Sequence, residues 1–140
     1  MDNQLRSFIN GLQPRNPKET VDLWILGVEN RSGAVQHAVP SPSLQKLTQK
    51  QFEESGWVTG QSSPCVDNVH FVKVNKISDT KVQYTIAYDL LTSYANFGRG
   101  HKVITVETNP EPYSINWFIT KIITTYFQYE AITPAETVIK

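Results

Sequence analysis

One cysteine in 140 residues rules out an intrachain disulfide, so Cys65 cannot staple the fold. A lone thiol leaves the redox compartment open, because a reducing cytoplasm and a cysteine-poor cell exterior both admit it. Charge of one sign is also lacking: thirteen Lys and Arg balance thirteen Asp and Glu, for a formal net charge of zero. Nucleic-acid binders draw affinity from clustered cations, so nucleic acid is not an expected partner. Electrostatic adhesion to anionic lipid is excluded on the same ground. No run approaches the roughly 18 consecutive apolar residues of a membrane helix, so no direct membrane insertion is expected. Met1-Asp2-Asn3-Gln4 lacks the basic start and apolar core of a secretory leader. Either the chain is cytoplasmic or its leader has been removed. No Gly-rich loop opens a helix, so nucleotide binding has no support and no cofactor is expected.

What is present suits one domain. A chain of this length buries roughly 68–70% of its unfolded surface, enough for a core without metal or disulfide. Leu5, Phe8, Ile9 and Leu12 share one helical face, closed by Gly11 and Pro14. Residues 1–15 are therefore expected as a helical extension. Asn16-Pro17-Lys18-Glu19 is a capping box with proline at the first helical position. Val21, Trp24, Ile25 and Val28 follow as an apolar stripe. Asn30-Arg31-Ser32-Gly33 ends that helix, and a short one follows over Ala34–Val39. Ser41 or Ser43 caps a third, with Leu44, Leu47 and Phe52 pointing inward and Gly56 as its stop.

From Trp57 the period becomes two. Trp57–Cys65 reads as a loop, and Val69–Ile77 as a strand. Val82, Tyr84, Ile86, Tyr88 and Leu90 alternate with polar partners in the clearest strand of the chain. Ser78-Asp79-Thr80 is the turn between these two strands. Tyr94–Gly100 reads as a loop, Lys102–Glu107 as a third strand, and Asn109-Pro110-Glu111-Pro112 as a turn. A fourth strand starts at Tyr113 and runs to about Tyr129, with a bulge near Lys121 where the apolar residues change face. Thr133-Pro134-Ala135-Glu136 is a second capping box, so residues 133–140 are expected as a tail or the start of a following helix. The expected class is α+β, with helices covering a strongly curved antiparallel sheet.

Three segments carry a resemblance. They are Pro17-x-Glu19-Thr20-Val21-x-x-Trp24, Ser41-Pro42-Ser43-Leu44 and Trp117-Phe118-Ile119-Thr120-Lys121-Ile122. In this order the chain resembles the NTF2-like superfamily, over residues 16–132 as the domain. It is most similar to small extracytoplasmic forms of Gram-positive bacteria, lipoprotein-like or associated with penicillin-binding transpeptidases. The resemblance implies a cone of helices and sheet. It also implies an extracytoplasmic, cell-envelope location, with a cytoplasmic one as the alternative. Enzymes of the superfamily place Asp, His or Tyr in the cone, and no such set maps onto this chain.

The candidate chemistry is sparse. Asp89 falls on the polar face of its strand, opposite Tyr88. His37 reads as a helix-surface or packed histidine. His70 and His101 begin two strands, but zinc needs a further ligand, so no metal is expected. Cys65 and His70 lack an orienting acid, so no catalytic residue is assigned. Arg99 and Lys102 read as a solvated basic turn. Trp24, Trp57, Tyr84, Tyr88 and Trp117 are candidates for a pocket, with core packing as the plainer alternative. Tyr94 and Phe97 are candidates for an exposed rim with Tyr126, Phe127 and Tyr129. The expectation is a non-enzymatic binding or spacer module that meets a protein partner or a second copy of itself, with a small molecule also admitted. The alternative is a small cavity enzyme of the isomerase or dehydratase type, working by proton transfer.

Overall fold

The computed structural model describes residues 16–60, 64–108 and 117–139. The expected N-terminal helix, the 109–112 turn and the start of the fourth strand lie outside the described residues. Helix α1 spans Pro17–Glu29, α2 Gly33–Ala38 and α3 Pro42–Glu54. Strands follow at Cys65–Ser78 (β1), Lys81–Leu91 (β2), Asn96–Thr108 (β3), Trp117–Thr125 (β4) and Glu136–Ile139 (β5). They form one sheet in chain order, β1 to β5. The fold is α+β with the helices preceding the sheet, and the sheet is mixed: β1 to β4 pair antiparallel, and β5 joins β4 in parallel. No helix among the described residues is long and apolar enough to cross a membrane.

The helix starts follow their caps. The Asn16 side chain accepts the Glu19 N–H at 2.9 Å, Ser32 accepts that of Val35 at 3.2 Å, and Ser41 that of Leu44 at 3.3 Å. Each takes a backbone donor that the first turn leaves unpaired. Ser41, not Ser43, is therefore the cap of α3. That helix ends at Gly56, whose φ of +66° is the left-handed conformation glycine adopts without strain. Leu47 departs from its expected inward place, being 76% exposed. The inward stripe is instead Leu44, Thr48 and Phe52, spaced by four. Burying Thr48 costs little because its hydroxyl donates to the Leu44 carbonyl at 2.8 Å.

Helix α1 lays Val21, Trp24 and Ile25 on the sheet face formed by Tyr84, Ile86, Tyr88, Ile104, Val106, Ile119 and Ile122. Thr20 fixes its position, donating to the Trp117 carbonyl at 3.1 Å. The segment after α2 is stitched to β4 as well: Ile119 N–H reaches the Val39 carbonyl at 3.1 Å, and Ser41 N–H reaches that of Ile119 at 2.9 Å.

Four strand expectations are corrected. Strand β1 begins at Cys65 and has three register shifts against β2. Strand β3 begins at Asn96, taking in residues 96–100 of the supposed Tyr94–Gly100 loop and leaving Tyr94 in the turn. Its glycines are there for close approach: a Cβ on Gly98 would fall 2.6 Å from the Phe127 ring, and one on Gly100 would fall 2.5 Å from Tyr88 Cζ. Each glycine makes room for a ring. Strand β4 stops at Thr125, and its register shift skips Thr120. That extra residue puts both Ile119 and Ile122 fully inside, although they are three apart. Finally, residues 136–139 form a strand where the capping box suggested a helix. The capping bond exists, with Thr133 N–H donating to Glu136 Oε2 at 2.6 Å, but Ala135 at φ +80° turns the chain onto the sheet.

Candidate functional site

Alternation along β3 places Gly100, Lys102, Ile104 and Val106 on the helix-covered face, opposite Tyr88, Ile86, Tyr84 and Val82 of β2. A lysine therefore occupies an apolar position, and its side chain is 3% exposed. This corrects the reading of Lys102 as part of a solvated turn. An isolated buried ammonium is prohibitively costly, so it must be paired. Two carboxylates from the last stretch of chain meet it: Glu130, 3% exposed, and Glu136, 1% exposed.

The bonds form a closed set with one opening. Lys102 Nζ donates to Glu130 Oε1 at 2.7 Å, to Thr124 Oγ1 at 3.2 Å, and to Glu136 Oε1. Those three bonds use all the donors an ammonium has. Thr124 donates onward to Glu136 Oε1 at 2.6 Å, and the Thr133 hydroxyl to Glu136 Oε2 at 2.6 Å. The Tyr88 hydroxyl donates to Glu130 Oε1. Nζ also lies 5.3 Å from the Tyr88 ring centre, within cation–π range. Glu130 Oε2 is buried and has no hydrogen-bond partner among the described residues. Among the described residues, this cluster sets one ammonium against two carboxylates.

Burial and the two nearby carboxylates push the Tyr88 phenol far above its ordinary pKa of 10.0, and burial followed by Asp22 pushes Tyr84 up as well. Tyr88 stays protonated in the folded chain where the unfolded chain would ionise, and Tyr84 shifts in the same direction. Their stabilisation is complete below about pH 10 and is lost as pH climbs above it. Unfolding free energy should fall by up to about 1.4 kcal/mol per pH unit above that point on account of Tyr88, with a further contribution of the same sign from Tyr84. Tyr88→Phe should remove one phenol's share of the slope in denaturant titrations at stepped alkaline pH. An unchanged slope would mean that Tyr88 is not the titrating group.

A cavity of about 260 Å³ borders Glu130. Val28 and Glu29 at the end of α1, Val66, Leu90 and Thr133 contribute to its wall, and the unpaired Cys65 reaches it. Burial, and then Asp67, raise the Glu29 carboxyl above its ordinary pKa. A shallower groove of about 440 Å³ lies between α3 and residues 132–137, with exposed Leu47 and Ile132 in its lining.

The aromatic candidates do not form one pocket. Trp24 and Tyr84 are core, Tyr84 standing edge-on to Phe71 at 5.6 Å. Trp57 is half-buried and stacks on Phe52 at 5.7 Å, with His37 edge-on to both rings. His37 is thus a packed histidine. Trp117 is half-buried on β4, packed against the core. Of the pocket candidates, Tyr88 hydrogen-bonds into the charged cluster, and the Trp24 ring centre lies 6.0 Å from Lys102 Nζ. Outside, Phe97 meets Tyr129 at 5.1 Å, and Tyr129 meets Phe127 at 5.6 Å. Tyr94 stands 98% exposed on the β2–β3 turn.

The remaining polar candidates sit elsewhere. Asp89 accepts from Asn68 Nδ2 at 3.0 Å and lies 3.7 Å from Arg99 Nε, on the face opposite Tyr88. His70 and His101 both lie beside Ala87 on either side of β2, which keeps them about 10 Å apart. Among the described residues, no three His, Cys, Asp or Glu side chains gather as a metal site. Sequence reasoning missed Lys102, Glu130 and Glu136; only the parity of Lys102 with Ile104 and Val106 signalled any of them. No protein-family model matches the chain, and no curated protein or solved structure does so either.

Proposed function

We propose that this domain is a non-enzymatic binding module that presents Phe97, Phe127 and Tyr129 to a protein partner. The observation that carries the reading is the exposed aromatic group itself. Phe97 is 37% and Tyr129 41% exposed, yet the rings pack on one another and Phe127 is seated on Gly98. Aromatic side chains held in place before contact lose little entropy on binding, which is why interfaces favour them. The interior charges support the same reading, because all three Lys102 donors, the Tyr88 proton and both Glu136 oxygens are engaged with one another. The proposal extends to an NTF2-like cone as the scaffold and to a bacterial cell-envelope protein as its setting.

The test is a photo-crosslinking residue at position 129, compared with one at Lys50 on exposed α3, in cells that make the protein. A discrete adduct at 129 that Phe97→Ser abolishes is the expected result. A product of twice the chain's mass would identify a second copy as the partner. No adduct, or equal adducts at both positions, would contradict the surface.

A second reading has one observation in its favour. Glu130 Oε2 is an unengaged carboxylate oxygen beside a cavity, as a base for proton transfer would be. On that reading, activity would vanish in Glu130→Gln and survive Phe97→Ser.

A further inference from the structure

We infer that the cavity beside Glu130 binds a nitrogen cation on a short apolar stem, an alkylammonium or guanidinium group, whose N–H donates to Glu130 Oε2. The inference is independent of the aromatic surface.

Three observations meet at this place. The first is the composition of the cluster: Lys102 is shared between Glu130 and Glu136, whose side chains are both nearly fully buried. The second is the unpaired atom. Tyr88 and Lys102 both donate to Glu130 Oε1, while Oε2 is buried with no partner among the described residues. A carboxylate oxygen left unsatisfied in the interior is costly, and a cation with N–H donors satisfies its charge and its lone pairs together. The third is the space, for Glu130 itself lines the 260 Å³ cavity.

The wall selects among cations. Val28, Val66, Leu90 and Ala131 offer apolar surface to a stem, and Glu29 adds a second acidic group. Arg31 also lines the cavity, but its Nε is turned to the Thr59 carbonyl at 3.0 Å. A bare metal ion would find too few ligands, since no three acidic, His or Cys groups converge among the described residues. An alkylammonium needs one carboxylate and an apolar sleeve, which is what the cavity provides. The same group comes from two sources, a free small amine or the lysine or arginine side chain of a partner protein.

The test titrates n-butylammonium, agmatine and blocked lysine (Nα-acetyl-lysine methylamide) into the isotopically labelled protein, following the methyl signals of Val28, Val66 and Leu90. Saturable shifts with Kd of about millimolar are expected for at least one amine, given so few ligand atoms. n-Butanol has the same stem without the charge and should bind at least about tenfold more weakly. This comparison needs no variant. Glu130→Gln, if folded by its amide spectrum, should lose the same factor. Saturation by blocked lysine would assign the site to a partner's side chain, and saturation by the free amines alone would assign it to a small molecule. No saturable shift with any amine, or equal binding of butanol and butylammonium, would overturn the inference.

Discussion

Lys102→Met should destabilise the domain by about 3–5 kcal/mol, the cost of leaving buried carboxylates without their cation. A domain of this kind holds only about 5–15 kcal/mol in all, so the variant is at or near unfolding. At a urea slope near 2 kcal/mol/M, the midpoint should drop by roughly 2 M. The size of the effect reflects what is left behind, since the Glu130 and Glu136 side chains are each at most 3% exposed. Methionine nearly matches the lysine stem in volume, so packing contributes little to the loss. Replacing Lys102, Glu130 and Glu136 together by methionine should therefore cost less than Lys102→Met alone. A single variant within about 1 kcal/mol of wild type would mean that the lysine reaches water.

Gly100→Ala should be the next most damaging change, at about 3–5 kcal/mol, although alanine ordinarily stabilises a strand relative to glycine by about 0.5–1 kcal/mol. The sign reverses because the new Cβ falls 2.5 Å from Tyr88 Cζ and 2.6 Å from its hydroxyl oxygen. Tyr88 is 1% exposed and has nowhere to move. Overpacking accounts for about 1–3 kcal/mol. The displaced hydroxyl also gives up its bond to Glu130, which at a charged acceptor adds roughly 1.5–3 kcal/mol. In a Tyr88→Ala background the ring is gone, and Gly100→Ala should cost almost nothing more. Additive losses in that cycle would show that the glycine is needed for something other than the ring.

Local signals were legible in the sequence. Asn16 caps its helix by one bond within the first turn, and Ser41 was one of two such caps offered for the third helix, so neighbouring residues suffice to find them. The alternation from Val82 to Leu90 marked β2 because both of its neighbours lie in the same sheet and one face is core. What was not legible depends on distant partners. Gly98 and Gly100 looked like loop residues because Phe127 and Tyr88, the rings they accommodate, are 29 and 12 positions away. Lys102 looked solvated because its charge outweighed its parity with Ile104. The carboxylates that bury it lie 28 and 34 positions downstream. Residues 133–136 carry a true capping bond, yet the other oxygen of Glu136 is held by Lys102 and Thr124, and the chain follows that anchor into β5. Of the aromatic candidates, Phe97 was legible as an exposed ring, while Trp24 and Tyr84 serve the core.

The ammonium of Lys102 is the point on which this arrangement turns, and nitrogen-15 NMR of the lysine side chains observes it directly. A proton-coupled Nζ signal should persist at neutral pH and room temperature, with hydrogen-bond couplings to the side-chain carboxyl carbons of Glu130 and Glu136. It should disappear in Lys102→Met. If every lysine Nζ exchanges at the rate of a solvated amine, the buried cluster does not exist as described, and neither the brace on β5 nor the charge beside the cavity survives.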